Sequence, residues 1–305
     1  MQMPSFEDPT DNNANISQAR LDRRNFLRKA GVFGLGAAAS GLVLASGKPA
    51  YAQLENQAEQ MQDYAQNKDT VMEIATAALI AEDLATTFYY NGLIGSVIQN
   101  PNLAGPGGSA TNVTSAGNMG NVLYIRAALS EEINHANLFR SVLAIPNPAK
   151  DPIQTFYFPA GSFNTLTAFT GLLNALENAF IGAYINAIQE LAHMASLAKG
   201  GGPAGDNGPY PRETLIYYAK VVATVLGIEC EHRVLGRVIS NSNPANNWNY
   251  EQLDGLNAVY NGPNSAVAAL TPFLTPSTGP GYSLATALAN QASVSTPAYG
   301  AAPLY

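Results

Sequence analysis

The sequence predicts an all-α protein, a four-helix bundle with a long crossover between the second and third helices. Apolar residues recur at helical spacing, without proline, in four segments, 70–98, 119–143, 162–199 and 212–240. The crossover is segment 145–161, which contains four prolines and one short aromatic run and cannot form a long helix. It is long enough to run from one end of a bundle to the other, so the helices form two pairs.

The connections inside each pair are the loops 100–118 and 200–211, which are rich in Gly, Pro and Asn. A helical solenoid would need a repeat of about 30–50 residues, which the sequence lacks. The expected bundle domain is 65–242. The C-terminal extension 243–305 is rich in Asn, Pro and Gly, and we expect it to be largely irregular, with one short helix near 264–273.

The N-terminal segment 1–52 has the features of an export signal. Arg23 and Arg24 open the stretch RRNFLR, which is typical of twin-arginine signals, and a weakly apolar Ala/Gly/Leu stretch follows. Ala50-Tyr51-Ala52 fits an A-x-A cleavage site. We therefore expect a periplasmic or extracellular protein without an integral membrane span in the mature chain. The alternative is a retained N-terminal anchor helix.

Composition limits the classes of partner. The chain has 305 residues and is 47% hydrophobic, enough to bury a sizeable core, but only 12% charged. A formal net charge of −7 argues against a nucleic-acid partner, which would need a basic patch. Cys230 is the single cysteine, so neither an intrachain disulfide nor a rubredoxin centre can form.

The second and fourth helices each contain a Glu-x-x-His pair near their middle, and the first and third helices each have a glutamate in an apolar stretch near theirs. Glutamate and histidine three residues apart project from one face of a helix. The order E, ExxH, E, ExxH is the ligand recipe of a di-metal carboxylate bundle, in which anionic oxygens balance two divalent ions and each ion takes an imidazole. A carboxylate on an apolar helix face is costly unless it is paired or binds a metal. The candidate ligands are Glu82, Glu132, His135, Glu177, Glu229 and His232.

A third Glu-x-x-His pair lies in the third helix. At about 100° per residue, Glu190 and His193 lie on a different side of that helix from Glu177. We therefore expect them to make surface or interhelix contacts rather than to bind the metal. Their role is not determined by the sequence.

Several neighbours of the candidate ligands are out of phase with them. Asp83, Glu131 and Glu231 are interpreted as partners of ligands or as solvated groups, and Cys230 as a packed thiol near the site. Two tyrosines, in contrast, each follow a lone glutamate by seven residues and return to its face of the helix. They are core residues or hydrogen-bond donors to ligating carboxylates, and they are Tyr89 and Tyr184.

The twin-arginine leader followed by E…ExxH…E…ExxH resembles bacterial exported ferritin-like domain proteins, which are similar to plant desiccation-related proteins. The resemblance covers roughly 65–242 and places the chain near the ferritin and rubrerythrin-like superfamily. It implies two metal ions, with Glu132 and Glu229 as the bridging ligands. Each ion would then have one terminal glutamate and one histidine of its own.

Three classes of function fit these features. The first is redox chemistry by two iron or manganese ions on O₂ or peroxide, in a catalase-like or ferroxidase manner. The second is iron storage in a ferritin shell, and the third is a non-enzymatic, stress-protective or envelope-associated protein. A bundle core with buried Glu–His pairs and no metal is also open. The ligand types suit Fe and Mn alike, and the sequence leaves open the substrate, the electron donor and a homo-oligomer.

Overall fold

The computed structural model describes residues 69–198, 210–242 and 266–295, and most of them are helical. The prediction of an all-α protein is therefore confirmed. The predicted export signal, 1–52, lies outside the described residues. Within these ranges, none of the helices has the length and apolarity that a membrane span requires.

Four long helices occupy the four predicted segments: α1 (Val71–Ile94), α2 (Met119–Val142), α3 (Leu166–Leu197) and α4 (Arg212–Ile239). α1 begins at a capping box, in which Thr70 accepts a hydrogen bond from the backbone N–H of Glu73 and Glu73 binds back to Thr70.

The bounds of two helices differ from the prediction. α1 ends before Gly95, and Ser96–Gln99 forms a 3₁₀ turn instead of continuing the helix. α3 starts later than predicted, because the Thr165 side chain caps it by accepting from the N–H of Ala168. Neither change moves a candidate ligand, since all of them lie in the middle of their helices.

The crossover and the C-terminal segment contain the two described strands. β1 (Thr155–Tyr157) pairs antiparallel with β2 (Gly281–Ser283), so that Phe156 lies opposite Tyr282. The short helix α5 (Ala266–Leu270) lies within the predicted helical stretch 264–273.

The tail from Thr275 corrects our expectation of irregular structure, because β2 and the helix α6 (Leu284–Asn290) lie there. Leu284 and Ala287 of α6 are fully buried, and α6 packs against α1. An uncharged segment without strong periodicity acquires its structure here by pairing with the crossover and by burying these two side chains.

α1 packs along α2 and α3 packs along α4, and the two pairs meet through contacts of α1 with α3 and of α2 with α4. Every residue of 78–90 is buried, as expected for a helix that has protein on all sides. Gly92 permits the close approach of α3, since a Cβ there would overlap the ring of Phe169. Phe169 in turn stacks on Phe88, with ring centroids 4.7 Å apart.

A buried ion-pair network ties α1, α2 and the crossover together. The Arg140 guanidinium contacts Asp83 Oδ1 at 2.5 Å and Asp151 Oδ2 at 2.7 Å, and all three side chains are at most 5% exposed. A further Arg140 N–H donates to Asn137 Oδ1. Burial raises the pKa of Asp83, and the charge of Arg140 opposes that rise. Asp83 is thus buried rather than solvated, and its carboxylate pairs with an arginine of α2.

Candidate metal centre

The structure brings all six predicted ligands together in the interior between the long helices. They form two overlapping groups whose nearest ligand atoms lie within 4.8 Å of one another. The first group is Glu82, Glu132, His135 and Glu229. The second group is Glu132, Glu177, Glu229 and His232.

His135 Nδ1 is the centre of the first group. It lies 3.2 Å from Glu82 Oε2, 3.4 Å from Glu229 Oε1 and 3.6 Å from Glu132 Oε2. The three carboxylates come from three helices, and all are nearly or fully buried. The histidine side chain itself is 12% exposed, so this half of the centre has some access to solvent.

His232 Nδ1 is the centre of the second group. It lies 3.0 Å from Glu132 Oε1, 3.6 Å from Glu229 Oε2 and 4.0 Å from Glu177 Oε1. The His232 side chain is only 3% exposed. This half is therefore the more deeply buried of the two.

Glu132 and Glu229 belong to both groups, and each divides its two oxygens between them. Glu132 turns Oε2 toward His135 and Oε1 toward His232. Glu229 does the same with Oε1 and Oε2. A carboxylate that presents one oxygen to each of two adjacent sites has the arrangement of a bridging metal ligand.

Several ligand atoms of the centre make no hydrogen bond with the described residues, although all are buried. They are both carboxylate oxygens of Glu132 and of Glu229, one oxygen of Glu177, and Nδ1 of His232. Buried polar atoms are otherwise almost always paired, so this converging set of donor atoms is suited to a cation.

Glu82 and Glu177 each belong to one group only, and we call them the outer glutamates. Each accepts a hydrogen bond from a tyrosine of the other's helix. Tyr89 of α1 donates to Glu177 Oε1 of α3 at 2.6 Å, and Tyr184 of α3 donates to Glu82 Oε1 of α1. Both rings are buried. The tyrosines are therefore hydrogen-bond donors to the candidate carboxylates, which is one of the two roles that the sequence left open.

We expect Tyr89→Phe to lower the free energy of unfolding of the metal-free protein by about 1–3 kcal/mol, since a buried acceptor then loses its donor. Within the described residues, Glu177 Oε1 accepts this hydrogen bond from Tyr89 and Oε2 accepts none. Urea denaturation measures the loss. The control is Tyr124→Phe, at a side chain 61% exposed, which should change stability by less than about 0.5 kcal/mol. Equal stability of both variants would contradict the bond from Tyr89.

Burial and mutual repulsion raise the proton affinity of the outer carboxylates. The pKa of Glu82 lies well above its ordinary value because of burial and then the charges of Glu132 and Glu229. The pKa of Glu177 is raised by burial and by the charge of Glu229. In the metal-free protein, protonation of Glu82 and Glu177 thus reduces the negative charge of the cluster.

The histidines have raised pKa values for the complementary reason. Burial alone would lower the pKa of His135, but interactions with Glu132, Glu229 and Glu82 raise it to about 12. The pKa of His232 is likewise raised, since the attraction of Glu132 outweighs burial. Glu132 shows the reverse shift. Its burial favours a higher pKa, but His232 and His135 hold the pKa well below the ordinary value.

Glu131 is the one out-of-phase carboxylate that contacts a candidate ligand in the described residues. Its Oε2 lies 2.8 Å from Nε2 of His232, the nitrogen that faces away from the centre, and its side chain is 42% exposed. Glu231 is exposed, and Cys230 is half-buried and belongs to neither group. Spacing along α2 carries no signal for this contact of Glu131, because its partner His232 lies on another helix.

The third Glu-x-x-His pair lies outside both groups of the centre. Glu190 is buried, and its Oε1 accepts a long hydrogen bond of 3.4 Å from the N–H of Asp69, just before α1. His193 is half-buried. Glu190 thus joins α3 to the start of α1, an interhelix contact of the kind expected.

Comparison of the chain with protein-family models, with curated proteins and with solved structures finds no match. The class of this protein is therefore defined by its own fold and site: a mostly helical protein with a buried cluster of glutamates and histidines that could hold metal.

Proposed function

We propose that this chain is an exported, ferritin-like four-helix protein that holds two iron or manganese ions and performs redox chemistry on peroxide, O₂ or ferrous iron. The observation that carries the proposal is the pair of overlapping groups that share Glu132 and Glu229. The predicted twin-arginine leader supports export. The twin-arginine route carries folded proteins, which suits a protein that binds its metal before export.

The donor set fits two such ions in number, charge and type. Four carboxylates balance the charge of two divalent cations, and one imidazole remains for each. Carboxylate oxygen and imidazole nitrogen suit iron and manganese, whereas a thiolate site would favour softer metals. The buried oxygens without hydrogen bonds are the atoms that would bind, so a metal would satisfy what the fold leaves unpaired.

Two redox-active ions held side by side would supply and accept the electrons that cleavage of an O–O bond requires. Disproportionation of two H₂O₂ to two H₂O and O₂ needs no external reductant, and oxidation of ferrous iron passes its electrons to O₂ or peroxide. The protein contributes buried carboxylates held by packed helices. Tyr89 and Tyr184 restrain the outer carboxylates. The half that contains His135 is the more exposed of the two, so a small molecule would enter from that side.

Metal analysis of the full chain, purified after folding in cells supplied with iron or manganese, tests the proposal. We expect about two ions per chain, with X-ray anomalous peaks between the glutamates at the Fe or Mn edge, and turnover of H₂O₂ or Fe²⁺ that Glu132→Ala abolishes. The matched control is Glu231→Ala, which removes an exposed glutamate of α4. Protein without bound metal, or turnover that persists in Glu132→Ala, would refute the proposal.

Metal binding should stabilise the protein more at high pH than at low pH. Glu82 and Glu177 have raised pKa values, so they favour the metal-free fold below their unfolded pKa, and that contribution is lost as pH rises. A metal ion must displace the protons on Glu82 and Glu177 in order to bind, so its affinity rises at the pH values where these carboxyl groups are ionised. We expect the rise in melting temperature caused by Mn²⁺ to be larger at about pH 8 than at about pH 5.5. An equal rise at both pH values would contradict displacement of protons by the metal.

A further inference from the structure

We propose that the two halves of the centre are inequivalent, and that Glu131 makes them so. The half formed by Glu177 and His232 binds the first metal ion tightly, and the half formed by Glu82 and His135 binds a second ion weakly and exchanges it. Glu131 acts as a positioning residue through His232. This inference rests on the proposed function, because it requires that the centre binds metal.

His232 is held on both sides of its ring. Nδ1 faces the glutamates of the centre, and Nε2 lies 2.8 Å from Glu131 Oε2. A carboxylate accepts hydrogen bonds and cannot donate them when ionised, so it selects the form of His232 that carries a proton on Nε2. In the neutral ring, the lone pair of Nδ1 then points into the centre, which is the form that a metal requires.

His135 has no such support from the described residues. All of its polar contacts with them are made by Nδ1, on the side of the centre. Its side chain is 12% exposed against 3% for His232, and water has access to it. Its ring is therefore held from one side only, and its tautomer is not selected by a carboxylate behind it.

The sequence shows the same break in symmetry. α2 and α4 match at their candidate ligands, Glu-x-x-His. The residue directly before the ligating glutamate differs, because it is Glu131 in α2 and Ile228 in α4. Isoleucine cannot accept a hydrogen bond, so α4 has no counterpart of Glu131 at this position. The pseudo-twofold arrangement of ligands is thus not matched by the groups that support them.

The other supporting groups do not explain a difference between the halves. Each outer glutamate accepts a hydrogen bond from one buried tyrosine, Glu177 from Tyr89 and Glu82 from Tyr184. Glu132 and Glu229 belong to both groups. The contrast therefore lies in the histidines, where a carboxylate partner orients the ring, raises the basicity of the ligating nitrogen and changes metal affinity by about 10–100-fold.

Titration calorimetry of the metal-free full chain with Mn²⁺ tests the inference. We expect two binding events whose affinities differ by about 10-fold or more. Glu131→Gln keeps the size of the side chain and removes its charge, so it should weaken the tighter event by about 10–100-fold and the weaker event by less than about 2-fold. Glu231→Gln, which removes an equal charge from an exposed neighbour of His232, should leave both events unchanged.

A second readout locates the first ion. Crystals grown with less than one Mn²⁺ per chain should show one anomalous peak, beside Glu177 and His232. A peak beside Glu82 and His135, two events of equal affinity, or a Glu131→Gln variant that weakens both events alike would overturn the inference and leave a two-metal centre in place. A complete failure to bind Mn²⁺ and Fe²⁺ would overturn the proposed function and this inference with it.

Discussion

Replacement of Glu132 by glutamine is expected to weaken both metal-binding events by roughly 100-fold or more each. Glu132 is shared by the two groups and turns one oxygen toward each histidine. Four-ligand protein sites bind zinc with about 10–16 kcal/mol, so one ligand contributes on the order of 3 kcal/mol, or about 100-fold. An amide retains one weaker acceptor oxygen and carries no charge, so it cannot bridge two cations equally well.

Glu82→Gln is the comparison that isolates the shared role of Glu132, because Glu82 belongs to the first group alone. It should weaken one event by a similar factor and leave the other nearly unchanged. Calorimetric titration with Mn²⁺ measures both variants, and circular dichroism checks that each retains its helices. If Glu132→Gln affected one event only, Glu132 would be a terminal ligand and the shared position would belong to Glu229 alone.

Arg140→Met is expected to lower the free energy of unfolding of the metal-free protein by about 3–5 kcal/mol, because it leaves the carboxylates of Asp83 and Asp151 buried without their cation. Methionine is similar to arginine in length, so little packing is lost. The residue joins α1 and α2 to the crossover, which makes the loss one of tertiary structure rather than of helix propensity. Urea denaturation measures the change.

Arg212→Met provides the control, since Arg212 is exposed at the start of α4 and should change stability by less than about 0.5 kcal/mol. The defect of Arg140→Met should also shrink as pH falls, because the pKa of Asp83 is already raised by burial and a protonated carboxyl no longer needs the cation. A defect of equal size at about pH 8 and about pH 5 would assign the loss to packing instead.

The four long helices follow directly from the periodicity of the sequence. Apolar spacing located them, and prolines and glycines located the connections between them. Angular position on a helix likewise favours Glu132 over Glu131 as the partner of His135 and separates Glu190 from Glu177, because positions three or four residues apart share a face of any regular helix. These are properties of a single helix, and the structure places the residues accordingly.

Contacts between helices do not follow from angular position on a single helix. Angular position says which way a side chain leaves its own helix, but not which residue it meets on the next one. Tyr89 and Tyr184 could therefore be placed beside the centre from their spacing, but only the packing of α1 against α3 shows that each donates to the glutamate of the other helix.

The sequence by itself determined the four helices and the six residues that converge between them, because helical periodicity is written in local spacing. Only the tertiary structure decided that Glu131 lies behind His232, that Arg140 neutralises Asp83, and that the tail from Thr275 pairs with the crossover. Each of these contacts joins residues far apart in the chain. Their geometry is set by the relative position of packed elements, which no local pattern encodes.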